Sequence, residues 1–274
     1  MNVNCSLHTH TTYCDGKSTP REMVESAVAK GCHTIGFSGH STLFLDGIFE
    51  DWSMSPEREE AYRREVLALR EEYRGQIDVL LGIELDTFSE RPRYPYDYVI
   101  GSVHYVKKNG EYIAVDLYPE VLKEKVESLY GGDFLAYAKD YYESVASVIE
   151  KTNCDIVGHF DLVTKFNEKM PLIDTADKRY RTATYEALDA LLEKNALLEV
   201  NTGAIARGWK TVPYLDAFLM KRIAEKNGNV IITADAHHAD HVLCAYELAL
   251  SMLKENGVKN IYTVENGKFV LADI

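Results

Sequence analysis

The chain of 274 residues lacks any apolar run approaching the roughly 20 residues needed to span a bilayer. Its first residues, MNVNCSLH, show no basic segment followed by an apolar one, so no signal peptide is expected and the expected location is the cytoplasm. Basic charge is also scarce. The net charge of −13 argues against non-specific nucleic-acid binding, which needs a basic footprint. It leaves an anionic substrate open, because bound metal ions invert the local charge of a pocket. Cysteine pairing is missing too: Cys5, Cys14, Cys32, Cys154 and Cys244 are scattered with no CxxC spacing and read as free thiols. Cys5, Cys154 and Cys244 lie in apolar stretches, whereas Cys14 lies beside candidate ligands. No repeat, low-complexity segment or Pro/Gly/Ser-rich linker divides the chain.

What is there is an alternation of strands and helices, with 46% hydrophobic residues to build a core. Strands are expected at Val3–Leu7, Thr34–Ser38, Ile77–Leu85, Tyr98–Val103, Asp155–Gly158, Leu197–Asn201 and Val230–Ala234. A closing strand or hairpin is expected over Ile261–Val264 and Phe269–Leu271. Thr19-Pro20-Arg21-Glu22 and Ser55-Pro56-Glu57-Arg58 open helices with a hydroxyl N-cap and Pro at the first helical position. These helices are expected to reach about Lys30 and Arg74. Others are expected at Pro119–Leu129, Phe134–Lys151, Asp177–Lys194, Pro213–Asn227 and Asp240–Asn256. Such alternation implies parallel strands in a barrel or a doubly wound sheet. In a closed α/β barrel, functional groups come from the C-terminal ends of several strands.

The histidines follow that rule. His8 and His10, His40, His104, His159 and His237 fall at or just past the ends of expected strands, as do Glu84 and Asp235. In extended backbone, residues i and i+2 share a face, so His8 and His10 aim at one point, and so do Asp235 and His237. Asp15 lies in a turn with Gly16 and is placed to fold back. A single histidine at a strand end is ordinarily a hydrogen-bonded structural residue; the joint pattern is what argues for metal. Imidazole and carboxylate suit Zn, Mn and Fe alike. Nine donors suit two or three ions, since a catalytic metal commonly takes three protein ligands and keeps a site open. Adjacent ions can clamp a phosphoryl group and activate a bridging water as hydroxide. His33, before a strand, is expected at the opposite face. His238 and His241 are left between supporting and substrate-facing roles.

The motifs LHTHTTYCDG, GFSGH, GIELD, GSVH, VGHFD and TADAHH resemble the polymerase-and-histidinol-phosphatase (PHP) superfamily, and most closely its histidinol-phosphatase branch. The resemblance runs from residue 5 to about residue 242. It implies a single domain over 1–274, an α/β fold of the distorted TIM-like (β/α)7 barrel type, and a trinuclear metal site at the strand ends. By motif, His8, His10, Glu84 and Asp235 would hold one ion, a shared Glu84 with His104 and His159 a second, and Asp15, His40 and His237 the third. Where the family often has Asp before the histidine of its second motif, this chain has Gly39. Arg207 matches the branch's phosphate-binding cation, an expectation consistent with the bidentate reach of guanidinium. Ser41, Lys165, Lys210 and His238 are further candidates for substrate contact. Asp161 is a candidate to protonate the leaving oxygen or to bind a substrate ammonium.

The activity implied is hydrolysis of L-histidinol phosphate to L-histidinol and phosphate, with a metal-bridging hydroxide attacking phosphorus. The partner would be a small phosphate ester, with no nucleic acid and no membrane; oligomeric state is not legible. The rivals are another phosphate ester or phosphodiester as substrate, a metal-stabilised module that only binds a partner, and an amidohydrolase-type barrel cleaving C–N bonds. Glu84 and the late Asp-Ala-His point away from the last.

Overall fold

The computed structural model describes residues 4–274. Val3, included in the first expected strand, lies outside them. Nine strands form one sheet in which chain neighbours are also spatial neighbours: β1 (Cys5–Ser6), β2 (Thr34–Phe37), β3 (Asp78–Asp86), β4 (Tyr98–Ser102), β5 (Ile156–Val157), β6 (Leu197–Asn201), β7 (Asn229–Thr233), β8 (Asn260–Glu265) and β9 (Lys268–Asp273). Every pairing from β1 to β8 is parallel; only the β8–β9 hairpin is antiparallel. The result is a curled, parallel-rich half-barrel of mixed α/β class. The curl brings the segment just past β1 against that just past β7, where Ala236 N–H donates to His8 O at 3.0 Å and His10 N–H donates to Ala236 O at 2.9 Å.

The strand period of two sorts side chains between two cores. The inner surface of the curl holds Cys5, Leu7, Tyr98, Ile100, Ile156, Ile231 and Val264, with Leu80 and Leu197 against them. The alternate residues Ile35, Phe37, Val79, Leu81, Leu198, Val200, Val230 and Ile232 pack outward under the helices. Each fully buried Leu or Ile contributes about 1.5–3 kcal/mol to that core. Space inside is tight. A Cβ added at Gly82 would lie 2.3 Å from the Tyr98 ring, so the glycine of β3 makes room for an aromatic ring crossing from β4.

The helices form largely as their starts foretell. Pro20–Ala29 carries a complete capping box between Thr19 and Glu22, and ends at Lys30 before Gly31, whose φ is 73°. Pro56–Glu72 is capped by Ser55. Three expectations need correction. The helix expected over Phe134–Lys151 breaks at Ser147 into Phe134–Ala146 and Val148–Thr152. The one expected from Pro213 starts only at Ala217, because Leu215 has a left-handed φ of 65°. The one expected from Asp240 is a short 3-10 turn, Ala239–His241, then Tyr246–Glu255, interrupted by positive φ at Leu243 and Ala245. Two small hairpins, Phe44–Leu45 with Ile48–Phe49 and Tyr105–Lys108 with Glu111–Ala114, had no expected counterpart. Among the described residues, no helix is long and apolar enough to cross a membrane.

Candidate metal centre

Moving up the inner surface, each strand changes from apolar to polar within two to four residues. Leu80 gives way to Gly82 and Glu84, Ile100 to Ser102 and His104, Leu197 to Glu199 and Asn201, and Ile231 to Thr233 and Asp235. The nine expected ligand residues lie together at this level. Glu84 is their hub. Its Oε2 lies 3.3 Å from His8 Nε2, 3.4 Å from His10 Nε2 and 2.8 Å from His40 Nδ1. Its Oε1 lies 3.2 Å from His159 Nε2 and 3.6 Å from His104 Nε2. Asp235 Oδ1 lies 3.4 Å from His10 Nε2, and Asp15 Oδ2 lies 3.0 Å from His237 Nε2.

Three overlapping groups bring all their donor atoms within 4.8 Å of one another: His8–His10–Glu84, His40–Glu84–His104, and His10–Asp15–His40–His237. His10 and His40 therefore each belong to two groups, a different partition from the one the motifs imply. The backbone reason for the late pair also differs. Asp235 is not extended but left-handed, at φ 44°, a conformation Asp tolerates better than most residues. Its carboxylate and the His237 ring still converge, at 3.4 Å.

Fit to metal rests on atoms left unpaired. His8 Nε2, His10 Nε2, His159 Nδ1 and Asp15 Oδ1 are buried without a hydrogen-bond partner. Each such atom costs about 1–3 kcal/mol, and imidazole and carboxylate are the donors that divalent ions accept. Charge is concentrated to match. Burial opposes ionisation of Glu84, yet His8, His40 and His104 hold its carboxyl well below the usual range. Burial also opposes ionisation of Asp235, and Arg207 and His8 overcome it. Burial and the neighbouring His237 and His40 push His10 down to about 3. Burial likewise disfavours charge on His104, but Glu84 and Asp86 raise it to about 9.

A cavity of about 280 Å³ opens onto the cluster, lined also by Asp51, Trp52, Tyr105, Asp116, Lys165 and Arg207. Arg207 Nη2 donates to Asp235 Oδ2 at 2.9 Å, Nη1 lies 2.9 Å from His237 Nδ1, and Nε has no partner. Lys165 lines the cavity but its Nζ is engaged by Asp116, at 2.9 Å to Oδ2 and 2.8 Å to the carbonyl.

Four expected contacts lie elsewhere. Asp161 is buried with both oxygens accepting backbone N–H groups, Leu215 at 2.7 Å and Asp216 at 3.2 Å, so it anchors the loop before the Ala217 helix and does not line the cavity. Ser41 donates to Ser89 Oγ and faces a separate small cavity. Lys210 reaches Thr164 Oγ1, and the half-exposed His238 accepts from Asp240 N–H. The Cys14 thiol lies 3.5 Å from His10 Nδ1, with its pKa pushed up to about 12 by burial and by Asp15. Beside Gly39, the room a larger residue would need is taken by Met54 and Cys14, at 3.2 and 3.4 Å from a Cβ built there.

Sequence reasoning missed Asp86, Ser102, Asp116 and Glu199. Asp86 Oδ2 accepts His104 N–H at 2.7 Å and lies 3.3 Å from its Nδ1; Ser102 Oγ donates to Glu84 Oε1 at 2.6 Å. Two signals were available. Asp86 shares a strand face with Glu84, and Glu199 interrupts an otherwise apolar strand.

The family model for the PHP domain matches residues 6–203. The chain is 29% identical to the histidinol-phosphatase of Bacillus subtilis over 263 residues, covering 89% of this chain and 97% of that protein. It is 26% identical to the histidinol-phosphatase of Lactococcus lactis subsp. lactis over 276 residues, covering 96% and 94%. The solved structure of histidinol phosphate phosphatase from Lactococcus lactis, complexed with zinc, L-histidinol and phosphate, superposes with a TM-score of 0.72 at 22% identity, over 98% of this chain and 99% of that one. The chain belongs to the PHP domain family.

Proposed function

We propose that this protein hydrolyses L-histidinol phosphate to L-histidinol and phosphate as a metal-dependent phosphoric monoester hydrolase. The observation that carries the reading is a cluster of imidazole and carboxylate side chains, several with buried unpaired donor atoms, seven of which line a cavity that also holds a guanidinium. The histidinol-phosphatases that align over nearly the whole chain support the choice of substrate. The reading takes residues 1–274 as one domain and the sheet as a distorted seven-stranded barrel with its ions at the C-terminal strand ends. The bridge between Thr9 and Ala236, which joins the region beyond β1 to that beyond β7, supports it.

The residues that would hold two or three divalent ions are His8, His10, Asp15, His40, Glu84, His104, His159, Asp235 and His237. When bound, such ions supply Lewis acidity toward phosphoryl oxygens and activation of water at neutral pH. The chain's own groups do the rest. Arg207 lines the cavity, and a guanidinium is well shaped to hold phosphate and to neutralise charge developing on it. Asp235 holds that guanidinium through Nη2. Trp52 and Tyr105 wall the cavity with aromatic rings, and Asp116, kept ionised by Lys165, adds a carboxylate suited to a cationic organic group. Asp161 is left to the scaffold, and the proton donor to the leaving oxygen is unassigned.

The test is the metal content of protein purified without added metal, together with kinetics on histidinol phosphate and on a generic ester such as p-nitrophenyl phosphate. Bound zinc, manganese or iron and a strong preference for histidinol phosphate are expected. Equal rates on the two esters would overturn the substrate; metal-free active protein would overturn the site.

A further inference from the structure

Glu199 belongs to none of the donor groups above, yet it is fully buried in the middle of β6. Leu198 and Val200 pack outward under the helices, so the strand period points Glu199 into the curl. A carboxylate buried there needs a full set of donors. It has four. Oε1 lies 2.5 Å from His8 Nδ1 and accepts from Thr233 Oγ1 at 2.5 Å. Oε2 accepts from His159 N–H at 2.6 Å and from Asn201 Nδ2 at 2.9 Å.

The consequence for His8 is chemical. An ionised carboxylate only accepts, so the proton facing it sits on Nδ1. In the neutral ring that leaves Nε2 bare, and Nε2 is the atom directed at Glu84 Oε2 and Asp235 Oδ1. The consequence for His159 is positional. Its main chain is tethered to the other oxygen, which sets its ring against Glu84 Oε1. One carboxylate thus governs two histidines that approach Glu84 from its two different oxygens.

We propose that Glu199 is a positioning residue that couples two metal positions, setting the tautomer of His8 and the placement of His159 so that both positions gain or lose affinity together. This rests on the reading of the cluster as a metal centre. Partners of this kind typically change metal affinity by about 10–100-fold when removed. A Glu199→Gln amide is a severe test, because either orientation turns its NH2 toward two existing donors.

Wild-type, Glu199→Gln and Thr233→Val proteins are titrated with Zn(II) against a competing chelator, with bound zinc counted directly and metal-free melting recorded in parallel. Glu199→Gln is expected to weaken at least two zinc positions together by about 10-fold or more. Thr233→Val, which removes a donor to the same carboxylate without touching a histidine, is expected to keep wild-type affinity. Loss at a single position, or equal loss in both variants tracking their melting, overturns the coupling. Wild-type protein that takes up no zinc overturns the metal reading itself, whereas a loaded wild type beside an equally loaded Glu199→Gln overturns this inference alone. Should Glu199→Gln fail to fold, imidazole 1H–15N correlation on zinc-loaded wild type decides: a proton on His8 Nδ1 supports the proposal, and a ring without it overturns it.

Discussion

The inner surface of the curled sheet has two levels built on the same strands. The lower level, Cys5, Leu7, Tyr98, Ile100, Ile156, Ile231 and Val264, is largely apolar, and its one buried hydroxyl, on Tyr98, is bonded to the Leu7 and Phe37 carbonyls. The upper level, His8, His10, Glu84, His104, His159 and Asp235, is almost equally buried but polar, and keeps several donor atoms without partners. Burial is common to both; what differs is whether burial is favourable. Below, removal from water stabilises the fold. Above, it costs free energy that hydrogen bonds only partly offset and that bound cations would offset further. The lower level holds the upper level in place.

The sharpest way to break this contrast is to remove the hub. Glu84→Gln is expected to lower turnover of histidinol phosphate by about 10³-fold or more, with metal content falling in the same samples, because it alters the one carboxylate that every neighbouring histidine faces. Arg207→Met is expected to cost about 10²–10³-fold in kcat while metal is retained, separating charge stabilisation from metal holding. Ile100→Ala strikes the lower level instead. It is expected to lower stability by about 2–5 kcal/mol in urea melts, with activity of the folded fraction nearly unchanged. Equal activity losses for Glu84→Gln and Ile100→Ala, per folded molecule, would erase the distinction between the levels.

A pH titration sharpens it further. Metal-free His104 has its pKa raised from 6.5 to about 9 by Glu84 and Asp86 against the opposing effect of burial. Its stabilising contribution is therefore complete below pH 6.5 and lost as pH rises through about 9. Metal-free protein is expected to melt progressively lower across that window, and metal-loaded protein, in which the imidazole is held deprotonated, to stay flat. The smallest effect is expected from Ser41→Ala. Its hydroxyl bonds Ser89 rather than facing the main cavity, so kcat/KM within about threefold of wild type and a stability change of about 0.5–1.5 kcal/mol are expected.

The residues of the upper level are legible in the sequence because strand alternation and strand endings put them in register. Glu84 and His104 stand on one inward parity with Leu80 and Ile100, and that parity can be counted along the chain. Parity alone does not fix Asp161. It shares a parity with His159, but the chain turns into a 3-10 helix at Leu162–Thr164 and the carboxylate is captured by amides from 54 and 55 residues away. The directions of Ser41 and His238 could not be counted this way, because adjacency in sequence to a candidate ligand does not set side-chain direction once the strand has ended. Asp116 and Trp52 could not be chosen from other surface residues, since only the hairpins near them bring them to the cavity.

The sequence by itself determined the class of fold, the order of the strands of the main sheet, and which nine side chains come together past the strand ends. Those follow from local rules: caps, a period of two, and the chemistry of imidazole and carboxylate. Only the tertiary structure decided how those residues are shared between groups, that Asp86 and Glu199 lie against histidines, that Arg207 is bonded to Asp235, and that Asp161 accepts from the Leu215 and Asp216 amides. These depend on hydrogen bonds between residues distant in the chain, such as His8 and Glu199 at a separation of 191. A buried polar atom takes whichever partner the fold brings within about 3 Å, and local sequence does not encode that choice.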